Sequence, residues 1–302
     1  MATAGAAAKR QAGRREGPPS RLGKAWSRVR RWPVVPIIIL GTLVFCAIFA
    51  DLIAPHHYRE QDLALRNAPP MWMKGGSSER ILGADIVGRD LLSRLIYGAR
   101  ISLTVAGVSL ASGAIVGVTL GVVAGYYGGL VDEILMRIVD TWFSIPFILL
   151  ALVIVIAFQP SLKIVLVLLA MLAWSGFVRN VRAETLVLRT TDYVWAAKIA
   201  GASTFTIIRK HIVPGVTNTV VVIATLRVGQ LILAEASLSF LGAGIPQPTP
   251  AWGLMVSDGR NYLDTAWWVS TFPGMAILLT VLALNFLGDW LRDRMDPRLR
   301  QI

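Results

Sequence analysis

Six apolar stretches, at 34–53, 101–126, 142–158, 164–177, 219–241 and 269–287, limit what this chain can fold into. A helix needs about 20 apolar residues to cross a bilayer, and five of the six come close to that length. The stretch at 164–177 is short, with Trp174 marking an interface end. Charged residues make up 16% of the 302, against roughly 25% in soluble domains. The expectation is an all-α integral membrane protein with six transmembrane helices. The third and fourth stretches are joined by only "QPSLK", which predicts an antiparallel hairpin. No appended soluble domain and no internal repeat is visible. Cys46 is the only cysteine, so no intrachain disulfide can form.

Charge gives the expected orientation. Residues 1–32 carry nine Lys and Arg against Glu16 alone, in a composition that cannot build a core. A basic segment beside a span stays on the cytoplasmic face and attracts anionic lipid. No aromatic platform accompanies these cations, which argues against nucleic-acid binding. Six spans then put both termini on the cytoplasmic side. The expected organisation is a basic disordered tail at 1–32, a first span with an extracytoplasmic loop at 33–100, a core at 101–291 and a cytoplasmic tail at 292–302. The loop at 54–100 opposes this orientation, since Arg59, Arg66, Lys74, Arg80, Arg89, Arg94 and Arg100 all lie there.

Five local features call for a role. Gly113, Gly117, Gly121 and Gly125 recur every four residues, leaving a bare helix face for close packing or for sliding. Arg227 and Glu235 are ionisable residues inside a span, where such groups usually face the bundle interior or a water-filled path. Eight residues of helix separate them by about 12 Å of rise, so they are not a direct pair. They are candidates for a translocation path. Asp85–Arg89 and Asp90–Arg94 are spaced i, i+4 beside Leu91, Leu92, Leu95 and Ile96, which predicts an amphipathic helix leading into the second span. His56 and His57 are adjacent and do not converge as metal ligands do.

The fifth feature is the polar segment 192–215, too polar for lipid and too patterned for a plain loop. Residues 193–200 favour a helix, Gly201 is suited to a left-handed cap, and Ser203 or Thr204 can cap a second helix. In that second helix Phe205, Ile208 and Ile212 fall on one stripe, His211 lies one turn beyond Ile207, and Pro214 ends the run. The result is a helical hairpin that either lies on the bilayer surface or docks on a partner.

"AAKIAGASTFTIIRKHIVPG" resembles the cytoplasmic "EAA" loop of ABC importer permeases, with Ala196, Ala197, Gly201, Ile212 and Pro214 at matching positions. The stretches at 81–103, 125–140, 235–260 and 272–300 are similar to the dipeptide and oligopeptide branch of that family. The resemblance implies the type I importer permease fold. It also implies that Trp195, Ala196, Ala197, Gly201, Ala202, Ser203, Phe205, Ile208, His211, Ile212 and Pro214 form a coupling element against a separate ATPase. Trp195 stands where the family carries glutamate, which makes the expected dock more apolar. The implied partners are a second permease subunit in a heterodimer, ATP-binding subunits that hold ATP and Mg, an extracytoplasmic substrate-binding protein, membrane lipid and a peptide substrate. No cofactor is expected in this chain, which has no G-x-x-x-x-G-K-[ST] loop to hold ATP, and no catalytic constellation. The alternatives are a permease for nickel or other small solutes, and an ion-coupled secondary transporter, for which only Glu235 is a candidate carboxylate.

Overall fold

The structure is a computed structural model that describes residues 33–295. The chain divides into a unit at 1–35, of which only residues 33–35 are described, and a unit at 36–302 that holds the bundle. The basic tail at 1–32 and residues 296–302 lie outside the described residues. Among the described residues the elements are α1 (Val34–Ile53), α2 (Leu91–Tyr127), α3 (Gly129–Ser144), α4 (Phe147–Phe158), α5 (Leu162–Leu188), α6 (Asp192–Ile199), α7 (Thr204–Phe240), α8 (Trp252–Gly259) and α9 (Trp268–Met295). α1, α2, α5, α7 and α9 are long and apolar enough to cross a membrane, and α3 with α4 make a sixth span if this pair, bent by 80°, is one span.

The centre of the bundle is a seam of small residues. A Cβ placed on Gly113, Gly117, Gly121 or Gly125 of α2 would run into Ala173, Phe177, Val181 or Thr185 of α5, respectively. At Gly117 it would stand 2.6 Å from the Cβ of Phe177, and at Gly121 2.9 Å from that of Val181. The constant offset of 60 residues makes the two helices parallel and in register. Removing side chains from one face lets backbones approach, and in lipid that packing is a main source of helix association. α7 runs antiparallel to α5, with Gly215 against Leu188 and Gly176 against Arg227. α9 runs antiparallel to α7, with Gly229 beside Asn285 and Gly288 beside Leu226.

Parallel neighbours force the chain to return between them, and α3–α4 make that return. The expected straight span at 142–158 is therefore two pieces, broken at Ile145–Pro146 where proline cannot donate and disfavours helix before it. α4 leads into α5 as the expected hairpin, but α5 packs mainly on α2. Two ion pairs tie α3 to α5. Arg182 grips both oxygens of Asp132, and Arg179 meets Asp140 at 2.6 Å while lying over the ring of Phe143. α5 is also longer than its apolar run, because Arg179, Asn180, Arg182 and Glu184 continue the helix past Phe177. Likewise α9 runs on to Met295, so the first residues of the expected tail at 292–302 are helical.

The expected amphipathic helix at 85–96 is only partly present, since α2 begins at Leu91. The Asp85 carboxylate accepts from the N–H groups of Val87 and Arg89, a local turn that competes with helix. Gly88 takes the left-handed φ of +77° that this turn requires. Asp90 then caps α2, accepting from the Ser93 N–H at 2.8 Å. Arg89 does pair with Asp85, at 2.6 Å, but Arg94 reaches Asp85, at 3.5 Å, instead of Asp90. Both guanidinium groups are buried, and Arg89 also lies 3.8 Å from Asp258 of α8. Burial pushes the Asp258 carboxyl above the usual carboxylate range, against the pull of Arg94 and Arg89. Two indole N–H groups fasten the same end: Trp252 donates to the Leu95 carbonyl and Trp268 to that of Ala84.

Gly117→Val overpacks the seam and is expected to destabilise the packed pair by about 1–3 kcal/mol, lowering the melting temperature in detergent. Gly107→Val is the control on the same helix, because nothing lies within 4 Å of a Cβ there. Thermal unfolding of both variants checks this, with a drop confined to Gly117→Val.

Candidate functional site

Two features at one end of the bundle form the candidate site: the hairpin of α6 and the start of α7, and a polar cleft beside it. In the hairpin, α6 ends at Gly201, whose φ of +81° is the left-handed cap. The Ser203 hydroxyl then caps α7, accepting from the Thr206 N–H at 3.3 Å. Pro214 does not stop this second helix. Residues Ile208–Ile212 form a π turn, in which the Val213 N–H reaches the Ile208 carbonyl. Proline has no N–H for the ordinary i−4 bond, and the wider turn accommodates it. The hairpin's second arm is thus the first part of a helix that runs unbroken to Phe240.

The stripe expected along Phe205, Ile208 and Ile212 divides between two sides. Ile212 is buried with Val194 and Ile207 against Val122 of α2 and Val181 of α5, and Ala197, Ala202 and Ile208 pack on this cluster. Phe205 points away and is 71% exposed, as are Trp195 at 52% and Ile199 at 85%. Ala196, Gly201, Ser203 and Pro214 are exposed as well. His211 is half-buried, its ring 5.9 Å from that of Tyr193. The Lys198 ammonium lies 4.6 Å from the centre of the Trp195 ring and 5.7 Å from that of Tyr126, within cation–π reach. Arg189 ties the hairpin's root to α2 by donating to the carbonyls of Gly125 and Tyr126, favourable at a helix C-terminus.

The cleft, of about 810 Å³, lies between α5, α7 and α9 and is lined by Asn180, Glu184, Asn218, Arg227, Gln230 and Arg292 among others. Arg227 therefore faces it. Glu235 does not: it is buried and accepts a hydrogen bond from the Ser239 hydroxyl at 2.6 Å, while Ser239 in turn accepts from the Ile245 N–H. The two candidate path residues do not meet, and the chain uses Glu235 to brace the end of α7 against the loop that follows it.

Residues 117–301 match the family described as "Binding-protein-dependent transport system inner membrane component", and residues 20–70 match the "N-terminal TM domain of oligopeptide transport permease C". The chain belongs to the binding-protein-dependent transport permease family. Curated relatives extend the likeness over nearly the whole permease. It is 46% identical over 286 residues to the dipeptide transport system permease protein DppC of Escherichia coli K12, covering 94% of this chain and 95% of that one. The di/tripeptide permease protein DppC of Pseudomonas aeruginosa UCBPP-PA14 is 38% identical, with 93% and 94% covered. The glutathione permease protein GsiD of Pectobacterium atrosepticum is 44% identical over 75% of each chain. Among solved structures, the permease is similar to a chain of the inward-facing MetNI methionine ABC transporter, with TM-score 0.56 and 22% identity over 68% of this chain and 98% of that one. That likeness supports the type I importer permease fold expected from the resemblance.

Sequence reasoning missed Ile199, the most exposed apolar residue of the hairpin, although its i, i+4 spacing from Trp195 on α6 carried the signal. It also missed Asn180 and Gln230. Gln230 lies about one turn beyond Arg227, and a polar residue at that spacing inside a span marks a wet face.

Gly201→Val is expected to loosen the hairpin by about 1–3 kcal/mol through backbone strain alone, because nothing lies within 4 Å of a Cβ there. Gly201→Asn, which tolerates a positive φ, is expected to lose less. Amide hydrogen exchange over residues 192–212 reads both, with faster exchange in the order Val, Asn, Gly.

Proposed function

We propose that the permease forms half of the path by which dipeptides and oligopeptides cross the bacterial cytoplasmic membrane, in an importer whose ATP hydrolysis is done by separate subunits. The observation that carries this reading is the exposed ridge of Trp195, Ile199 and Phe205 on a hairpin whose other side is fixed to the bundle. Three large apolar side chains held out on a rigid support fit the groove of a motor subunit better than a hairpin laid on lipid, which would not need that support. The ridge extends the expected coupling set by Ile199. Trp195 contributes apolar area in place of a charge, and Lys198 stacked upon it keeps one cation at the dock.

The remaining partners follow from the family. A second permease subunit would complete the path as a heterodimer, two ATP-binding subunits would hold ATP and Mg, and an extracytoplasmic binding protein would deliver substrate. The relatives' names, which specify dipeptides, di/tripeptides and glutathione, favour peptides over nickel or other small solutes. Both termini are assigned to the cytoplasm, with the hairpin on that side. Three of the seven cations that opposed this orientation are paired: Arg89 and Arg94 with Asp85, and Arg100 with Asp51 at 2.9 Å. The cleft then opens toward the cytoplasm.

Phe205→Asp tests the reading. Phe205 is exposed, so the substitution should leave folding and membrane insertion unchanged. In proteoliposomes holding the complete importer, ATP-driven dipeptide uptake should fall by about tenfold or more, as for loss of an interface anchor. The permease alone should hydrolyse no ATP. Uptake at the wild-type rate by Phe205→Asp would remove the hairpin from the coupling path, and vanadate-sensitive turnover by the isolated chain would contradict the division of labour.

A further inference from the structure

We propose that Arg227 is the transient counter-ion for the terminal carboxylate of the substrate as it passes through the permease. This rests on the peptide-importer reading above and deepens it.

A cation in the middle of a span is costly unless it meets an anion or water. Arg227 lies 13 residues before the end of α7 at Phe240, about 20 Å along the helix, so it sits deep in the apolar layer. Among the described residues its guanidinium makes no hydrogen bond or ion pair. The nearest carboxylate on its own helix, Glu235, is already satisfied by Ser239 and is buried away from the cleft. Glu184 lines the same cleft, but it lies eight residues beyond Gly176 on α5, about 12 Å away along the helix.

Arg227 is nonetheless accommodated. A Cβ on Gly176 would overlap its guanidinium, so this glycine clears a notch across α5 for the arginine. Asn180, one turn on, donates to the Gly176 carbonyl at 2.8 Å, which fixes the rim of the notch. Gln230 and Asn180 flank the same opening. The result is a positioned, planar donor facing a polar cleft, in which Asn180, Asn218 and Gln230 are neutral and Glu184 and Arg292 are the other charged groups. Guanidinium matches carboxylate in a two-point contact that an ammonium cannot reproduce. Every linear peptide with a free C-terminus carries that carboxylate whatever its side chains, so one arginine can serve a broad range of peptides. Contact must be brief for transport to proceed, and neutral neighbours keep it from becoming a tight site.

The test uses the complete importer with its binding protein in proteoliposomes. Uptake of dialanine is compared with uptake of its C-terminal amide, each at a concentration that saturates the binding protein. The binding protein's own preference is common to all variants and cancels when the acid-to-amide rate ratio is compared between them. Arg227→Gln is expected to lower that ratio by about tenfold, the effect of one charge-assisted contact, by slowing the acid while sparing the amide. Arg227→Lys, which keeps the charge but not the two-point geometry, is expected to fall between Arg227→Gln and wild type. An unchanged ratio overturns the proposal, and so does an equal proportional loss for both peptides, complete loss included; the latter is the outcome if Arg227 pairs with a carboxylate of the partner permease. Failure of the wild-type importer to take up dialanine at all would sink the peptide reading itself and this proposal with it.

Discussion

The close approach of α2 and α5 is the constraint on which the rest of the bundle depends. Four glycines at four-residue spacing face Ala173, Phe177, Val181 and Thr185 in a fixed parallel register. In lipid there is no hydrophobic gain from bringing two apolar helices together, so contact depends on fit. The parallel arrangement then dictates the connection. The chain has to return between the two helices, which places α3 and α4 outside the seam and leaves α3 joined to α5 by two Arg–Asp pairs. At its lower end the seam supports the hairpin, because Val122 and Val181 continue the same interface into Val194, Ile207 and Ile212.

Much of this was legible in the sequence where one residue type admits one geometry. The glycine spacing announced the seam and Gly201 its left-handed cap, while the start of α7 was narrowed to Ser203 or Thr204, of which Ser203 is the cap. Hydrophobicity was a poorer guide to helix ends, because it reports where lipid lies and not where hydrogen bonding stops. α5 therefore continues eleven residues past Phe177 through a mixed stretch that holds Arg179, Asn180, Arg182 and Glu184. Pro214 looked like a terminator because a proline inside a helix forfeits a bond, yet a single π turn absorbs it. The i, i+4 charges at 85–94 mimicked a helix, but a carboxylate that can bond its own following amides prefers a turn, and Gly88 permits it.

Site residues divide along the same line. Composition and spacing located the hairpin and Arg227, but which side of each faces out depends on neighbours distant in sequence. Ile212 and Phe205 share a stripe on a helical wheel; the presence of α2 and α5 on one side alone buries the first and exposes the second. Under the proposed coupling, a displacement of the hairpin would reach α7 through continuous helix and α2–α5 through the buried cluster. Arg227 lies 22 residues beyond Phe205 on that helix, about 33 Å away, so dock and cleft share one rigid element.

Such a permease would move as one body, with its seam a fixed joint and not a sliding groove. The most direct measurement is the distance between spin labels on Ile115 of α2 and Val187 of α5, both exposed, in a Cys46→Ala background. It is made in the assembled importer, first without nucleotide and then with ATP trapped by vanadate. A fixed joint predicts one narrow distribution that shifts by less than about 2 Å between the states. A shift of about 5 Å, one helical turn of slippage, would show that the glycine face is a track along which the helices slide.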